Sequence, residues 1–273
     1  MEQAGGTGGR VAEPPDRFRL LFVCTGNICR SPFAQFHTRF LLEARLGPRQ
    51  AARFQVASAG IAAVVGSGMH PLSRAQLTTR RDHPEVAAFR ARQLPDRDVA
   101  LADLVLAVSR DHRGRVLEDV PQALPKAFTV PEFARLLEAA RPGPLPPDPV
   151  ARARALVAAA LATRGSPAPV TAEEDEVPDP VRGDESDHAA AAEVVDTAVR
   201  VFLDRLAPPV PPRPPVPPPR PGPPRLPPGW RFTPRPPPES AGAGPSAPAP
   251  DADAPLVGSP ERRPHPPRSR RAP

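Results

Sequence analysis

Cys24 and Arg30, six residues apart, are the side chains of this sequence whose types and spacing point most directly to chemistry. They bracket the string Cys24-Thr25-Gly26-Asn27-Ile28-Cys29-Arg30, which runs on into Ser31-Pro32. A tight turn of this composition directs successive backbone N–H groups into one concavity, and a helix starting at its end adds a positive pole, so the segment reads as an anion site. Gly26 tolerates positive φ and close approach of a phosphate, and Asn27 is the next most tolerant residue type. Arg30 can grip two phosphate oxygens at once. The same positive field favours a thiolate at Cys24. Phosphate transfer to sulfur is the chemistry these types suit, with most of the rate coming from in-line placement and stabilisation of the equatorial oxygens.

Such a loop needs a strand before it and a helix after it. Phe18 to Val23 is a nearly continuous apolar run, the pattern of a strand buried on both faces. After Ser31-Pro32, the apolar positions Phe33, Phe36, Phe40, Leu41 and Ala44 recur at helical spacing as far as Gly47-Pro48. Further strands are expected at Phe54 to Ala57, Leu104 to Val108 and, more weakly, Ala127 to Val130. Helices are expected after Pro71, at Arg110 to Leu117, Pro131 to Ala140, Pro149 to Thr163 and Asp187 to Leu206. Alternating strands and helices imply an α/β fold whose parallel sheet is covered on both faces.

The nine-residue string resembles the P-loop of the low-molecular-weight protein tyrosine phosphatases, C-x-G-N-x-C-R-S-P, with every fixed position present. Further likeness in Ser58-Ala59-Gly60, Ala91-Arg92-Gln93-Leu94, Ala102-Asp103-Leu104 and the last helix extends the resemblance over residues 18–206, with insertions between 138 and 178. It implies a four-stranded parallel sheet in the order 2-1-3-4 with helices on both faces and the loop at the switch point. It also implies that Cys24 attacks phosphorus, that Arg30 binds the phosphate, and that Thr25, Gly26, Asn27, Ile28, Cys29 and Ser31 complete the substrate-binding loop. Asn27 and Ser31 would hold loop and thiolate in place, and Cys29 corresponds to a cysteine that can form a reversible disulfide with the nucleophile. Thioredoxin-coupled arsenate reductases share the loop but need further cysteines, and Cys24 and Cys29 are the only two here. The arginine-phosphatase branch typically carries threonine where this chain has Ile28, so protein phosphotyrosine is the expected substrate. The competing class is a catalytically weak phosphate-sensing or scaffolding module.

The family's general acid lies in an Asp-Pro-Tyr motif, and this chain has two Pro-Asp-Pro candidates, Asp148 and Asp179, and no tyrosine. Distance from the nucleophile favours Asp148. Context favours Asp179: Asp148 precedes Pro149 and a long helical pattern, as a helix N-cap does, whereas Asp179 sits in a loop before the terminal helix. Asp179 also stands in a run with Glu173, Glu174, Asp175, Glu176, Asp184, Glu185 and Asp187, whose like charges are expected to favour its protonated form. Val181 stands where the family places an aromatic wall. Some relatives place a loop-supporting histidine where this chain has Phe89-Arg90, so that support is expected to be rebuilt differently.

Composition divides the chain. Of its 46 prolines, 27 fall among the 67 residues from Ala207 to Pro273, which offer little to bury. Disorder is therefore expected for 1–17 and 207–273, with one domain over 18–206. The net charge of +6 belongs to the tail, whose ten arginines outnumber four acids, leaving residues 1–206 neutral and giving the domain no basic face for nucleic acid. Pro214 to Pro217 and Pro221 to Pro224 offer polyproline II ligands to a partner with an aromatic groove. The N-terminus shows no apolar signal core and no apolar run nears the roughly 20 residues needed to span a bilayer, so no membrane partner and a cytoplasmic location are expected. His37, His70, His83, His112, His188 and His265 show no metal-ligand spacing and are expected at surfaces or in loops, with neither metal nor cofactor.

Overall fold

The Phe18–Cys24 run forms strand β1, and its side chains alternate between two cores. Phe18, Leu20 and Phe22 face one, Leu21 and Val23 the other, which is why the strand reads as apolar throughout. The computed structural model describes residues 16–208. The expectations for residues 1–15 and for the tail from 209 onward lie outside the described residues.

The remaining strands are β2 (Phe54–Gly60), β3 (Leu104–Ala107) and β4 (Ala127–Thr129). All pair in parallel, in the order β2-β1-β3-β4, as the resemblance implied. The helices are α1 (Arg30–Ala51), α2 (Pro71–Ala75), α3 (Pro84–Ala88), α4 (Asp96–Leu101), α5 (Arg110–Asp119), α6 (Val130–Ala139), α7 (Pro149–Thr163) and α8 (Glu185–Leu206). Residues of α1, α6, α7 and α8 build the core on the Phe22 face, and Val99 of α4 and Val116 of α5 join the smaller core on the Val23 face. The α1 pattern breaks at Gly47, which adopts φ 72°, before one further turn from Pro48. Beyond residue 138, α7 folds back into the main core through Ala153, Leu156 and Ala160. Among the described residues no helix is long and apolar enough to cross a membrane.

Caps define the helix starts. The Asp148 carboxylate accepts from Ala151 N at 2.9 Å, as its context predicted for an N-cap of α7. Thr129 and Glu132 form a reciprocal capping box on α6, and Asp184 and Asp187 form one on α8.

Candidate active site

The loop from Cys24 to Arg30 leaves the C-terminal end of the central strand β1 and enters α1. Its backbone is shaped from outside by the segment after β2. The carbonyls of Cys24, Thr25, Gly26 and Ile28 accept from the N–H groups of Ile61, Ala62, Val64 and His70 at 3.0, 3.1, 3.0 and 2.8 Å. A peptide whose carbonyl is held outward presents its N–H to the opposite side, so these four bonds turn loop amides inward as an anion nest. Gly60 permits the close approach: a Cβ there would collide with the Thr25 carbonyl oxygen and come within 3.1 Å of Asn27 N.

Asn27 is the buried hub of the loop. It adopts φ 55°, in the left-handed region that Asn tolerates better than most side chains. Its Nδ2 donates to Ser31 Oγ at 2.9 Å and to Ser58 Oγ at 2.8 Å, and its Oδ1 accepts from Arg92 N at 3.0 Å. Because Ser31 Oγ accepts from Asn27, its proton is free to point at Cys24 Sγ, 2.9 Å away. Asn27 N also donates to that sulfur at 3.3 Å. The buried nucleophile candidate thus accepts from the Asn27 N–H and lies within hydrogen-bond reach of the Ser31 hydroxyl. The stretch after Phe89-Arg90 supplies the missing support through Arg92, which also donates from Nε to the Ser58 carbonyl at 2.9 Å.

Arg30 is buried, with Nη1 donating to the Val177 carbonyl at 3.2 Å and Nη2 paired with Asp179 Oδ2 at 2.7 Å. Asp179 is thereby brought onto Arg30 beside the loop, while its side chain remains 44% exposed. Val177 N donates to the carbonyl of Val108, just past β3, and this docks the loop that carries Asp179 over the end of the sheet. Asp148 lies at the other end. Its Oδ2 pairs with Arg53 Nη1 at 2.6 Å, and the Arg53 carbonyl accepts from Phe18 N where β1 begins. A seven-residue strand, roughly 20 Å long, separates that point from Cys24.

Two expectations are corrected by the packing. Much of the acidic run is taken up elsewhere: Asp175 is buried against Arg110 (2.7 Å) and Arg135 (2.6 Å), Glu174 bonds Thr171, and Asp184 and Asp187 cap α8, while Glu176 shares Arg30 with Asp179, 4.0 Å from the Arg30 Nη1. The charge that faces Asp179 is the Arg30 guanidinium. The histidines are not uniformly surface residues either, since His112 and His188 are buried. His112 Nε2 lies 2.8 Å from Thr25 Oγ1 and its Nδ1 lies 2.7 Å from Ser109 Oγ, so it braces the second residue of the loop. Burial, with Arg30 as the next cause, holds its pKa below the usual histidine value. Its position four residues beyond a buried strand run was the available signal, and only the fold turns it toward Thr25.

Apolar side chains flank the loop glycine. Gly26 is flanked by the side chains of Ile28 and Val64, and Val64, Val65 and Val181 are 48%, 69% and 43% exposed. Cys29 is buried, and burial pushes its thiol up to about 11. Both cysteines are free thiols.

Residues 19–150 match the family described as low molecular weight phosphotyrosine protein phosphatase, a span that includes the loop and Asp148 but stops short of Asp179. A protein-arginine-phosphatase from Geobacillus stearothermophilus is 36% identical over 116 residues, 42% of this chain and 71% of that protein. The low molecular weight protein-tyrosine-phosphatase Wzb of Escherichia coli strain K12 is 30% identical over 141 residues, 51% of this chain and 83% of that protein. The solved structure of the YwlE arginine phosphatase from Geobacillus stearothermophilus superposes with a TM-score of 0.47 at 26% identity, covering 69% of this chain and 92% of that one. Similarity of this extent to two such relatives, on top of an intact loop, means that this chain belongs to the low molecular weight phosphotyrosine protein phosphatase family and is a phosphatase.

Proposed function

We propose that the protein hydrolyses phosphotyrosine in proteins through a cysteinyl-phosphate intermediate, with Cys24 as nucleophile, Arg30 as phosphate clamp and Asp179 as general acid. The observation that carries this reading is the convergence of a Ser31-bonded sulfur, inward loop amides and an Arg30–Asp179 pair at the C-terminal end of β1. In the first step the sulfur attacks phosphorus in line, the S–P bond forms as the ester P–O bond breaks, and the Asp179 proton passes to the leaving oxygen. Arg30 and the loop amides of Thr25 to Arg30 hold the equatorial oxygens as charge spreads over them. In the second step water attacks phosphorus, Asp179 takes its proton, and sulfur leaves with Ser31 donating to it.

Apolar side chains at the mouth support the ester class. Ile28 and Val64 beside Gly26 offer apolar flanks to an aryl ring, while the half-exposed Asp179 carboxylate and the Thr25 hydroxyl are the groups that could receive a guanidinium. Phosphoarginine is the second reading, favoured by the relative at 36% identity. The decisive comparison is turnover of a phosphotyrosine peptide against the same peptide carrying phosphoarginine, with Cys24→Ser as control. Preference for phosphotyrosine that vanishes in Cys24→Ser supports the proposal; preference for phosphoarginine moves the protein to the second reading. Turnover of neither, with tight oxyanion binding, supports the phosphate-sensing module.

The proposed catalytic unit is residues 18–206, since the core closes on α8 with Leu203 and Leu206 fully buried. Truncation after Leu206 should leave kcat/KM on a small aryl phosphate within about twofold of the full chain. Recruitment of partners by the Pro-rich tail is proposed separately, and pull-down with the tail peptide tests it.

A further inference from the structure

Behind the loop, on the side of α2 and α8, three metal-ligating side chains meet that catalysis as proposed does not use: Cys29, His70 and His188. Their ligand atoms all lie within 4.8 Å of one another. Cys29 and His188 are buried and His70 is half-buried, stacked on His188 with ring centroids 4.6 Å apart. Two ring nitrogens at this place are enclosed without a hydrogen-bond partner, His70 Nδ1 and His188 Nε2. An enclosed polar atom left unpaired is destabilising, so two in one cluster is an arrangement that packing alone does not favour.

The orientation of His188 is fixed from its far side. Its Nδ1 lies 2.7 Å from Ser73 Oγ. With the ring proton on Nδ1 donating to Ser73, Nε2 carries a bare lone pair, which is the ligating tautomer. A hydrogen bond of this kind to the second nitrogen is what typically orients a metal-bound histidine. Cys29, Ser73 and His188 also line a small cavity beneath the loop. His70 is tied to the loop itself, since its N–H donates to the Ile28 carbonyl at 2.8 Å.

We propose that Cys29 Sγ, His70 Nδ1 and His188 Nε2 form a binding site for a single zinc-class divalent cation, linking the phosphate loop to the start of α2 and the first turn of α8. One thiolate and two imidazoles are a borderline-soft donor set, suited to zinc rather than to magnesium or calcium. Tetrahedral zinc, with bonds of about 2.0–2.1 Å to nitrogen and about 2.3 Å to sulfur, needs donors roughly 3.3–3.6 Å apart. The cluster therefore closes by about an ångström on binding, and the stacked rings must turn so that their lone pairs converge. His70, the more exposed ring, supplies that rotation. Coordination displaces the Cys29 thiol proton to solvent, and a water completes the fourth position.

Arg30 lines the same cavity, so the site is tested by readouts other than turnover. The test uses full-length Cys24→Ser protein, which removes the other thiol, titrated with Co2+ and then with Zn2+. One equivalent of Co2+ should produce a thiolate-to-cobalt charge-transfer band that Zn2+ abolishes and that is missing in the Cys24→Ser, Cys29→Ala protein. His70→Ala should weaken apparent affinity by more than the 10- to 100-fold typical of losing an outer-shell partner. Zn2+ should raise the Tm of the Cys24→Ser protein and leave that of the His70→Ala version unchanged. His70 is the informative position because its ring is only half-buried, whereas His188→Ala opens the core. Absence of the charge-transfer band in the Cys24→Ser protein, or a band undiminished by His70→Ala, overturns the proposal.

Discussion

Replacing Asp179 with asparagine keeps the size of the side chain and removes both its transferable proton and its charge, so two effects of opposite sign are expected. A positioned general acid contributes about 10²–10⁴ in rate, and Asp179→Asn should lower kcat on phenyl phosphate by two to three orders of magnitude. The second effect follows from the 2.7 Å bond to Arg30. Asp179 competes with phosphate for that guanidinium, but its side chain is 44% exposed, so the pair is worth at most about 1 kcal/mol. The variant should therefore bind inorganic phosphate more tightly, by up to about fivefold. Steady-state kinetics across aryl phosphates of falling leaving-group basicity, with phosphate as competitive inhibitor, read both effects. The kcat deficit should shrink toward nothing as the leaving group ceases to need a proton. Asp148→Ala is the control. It loses the cap on Ala151 N and the pair with Arg53, costing about 1 kcal/mol or roughly 2–4 °C in Tm, with kcat unchanged. Activity lost with Asp148 and kept without Asp179, or a deficit constant across leaving groups, would refute the reasoning.

Gly60→Ala should cost at least about 1–3 kcal/mol and most of kcat/KM, because the added methyl meets the Thr25 backbone and not a flexible side chain; kinetics within twofold of wild type would show that the loop has slack. Mild peroxide should convert Cys24 to a sulfenic acid that Cys29 captures as a disulfide, releasing water. Since Cys29 reacts as thiolate and its pKa stands at about 11, capture should quicken by about tenfold per pH unit between 7 and 9. Mass spectrometry after quenching measures this, and a pH-independent rate counts against Cys29 as the trapping thiol. Burial lowers the pKa of His112 and His188 below the usual histidine value of about 6.5. Both then stay neutral in the fold while the unfolded chain takes up protons, so stability is full above about pH 6.5 and falls as pH drops below it. Melting curves should show Tm declining from pH 7 to 5, with a shallower decline in His112→Gln; parallel curves would place the acid sensitivity elsewhere.

The phosphate loop was legible in the sequence because its geometry is local. A buried strand ending at Cys24, a residue tolerant of positive φ at Asn27, and a helix from Arg30 determine a concavity over nine consecutive residues, in which Gly26 itself does not adopt positive φ. The α7 cap at Asp148 was legible for the same reason, since an N-cap and the Pro that follows it act within one turn. Helices α3 and α4 gave no periodic signal, being five and six residues long with one buried residue each. What distinguished Asp179 from its acidic neighbours is tertiary. The Asp175 pairs with Arg110 and Arg135, the Val177 bond to Val108 and the α8 capping box fix the flanking segment and set Asp179 on Arg30 at 2.7 Å, with Glu176 farther off at 4.0 Å. The meeting of Cys29, His70 and His188 had no sequence signature, because the three belong to elements that only the folding of α2 and α8 against the loop brings together. Local backbone preference acts over a few residues and can be read there, whereas the charge and ligand environment of a side chain depends on which distant segments pack against it.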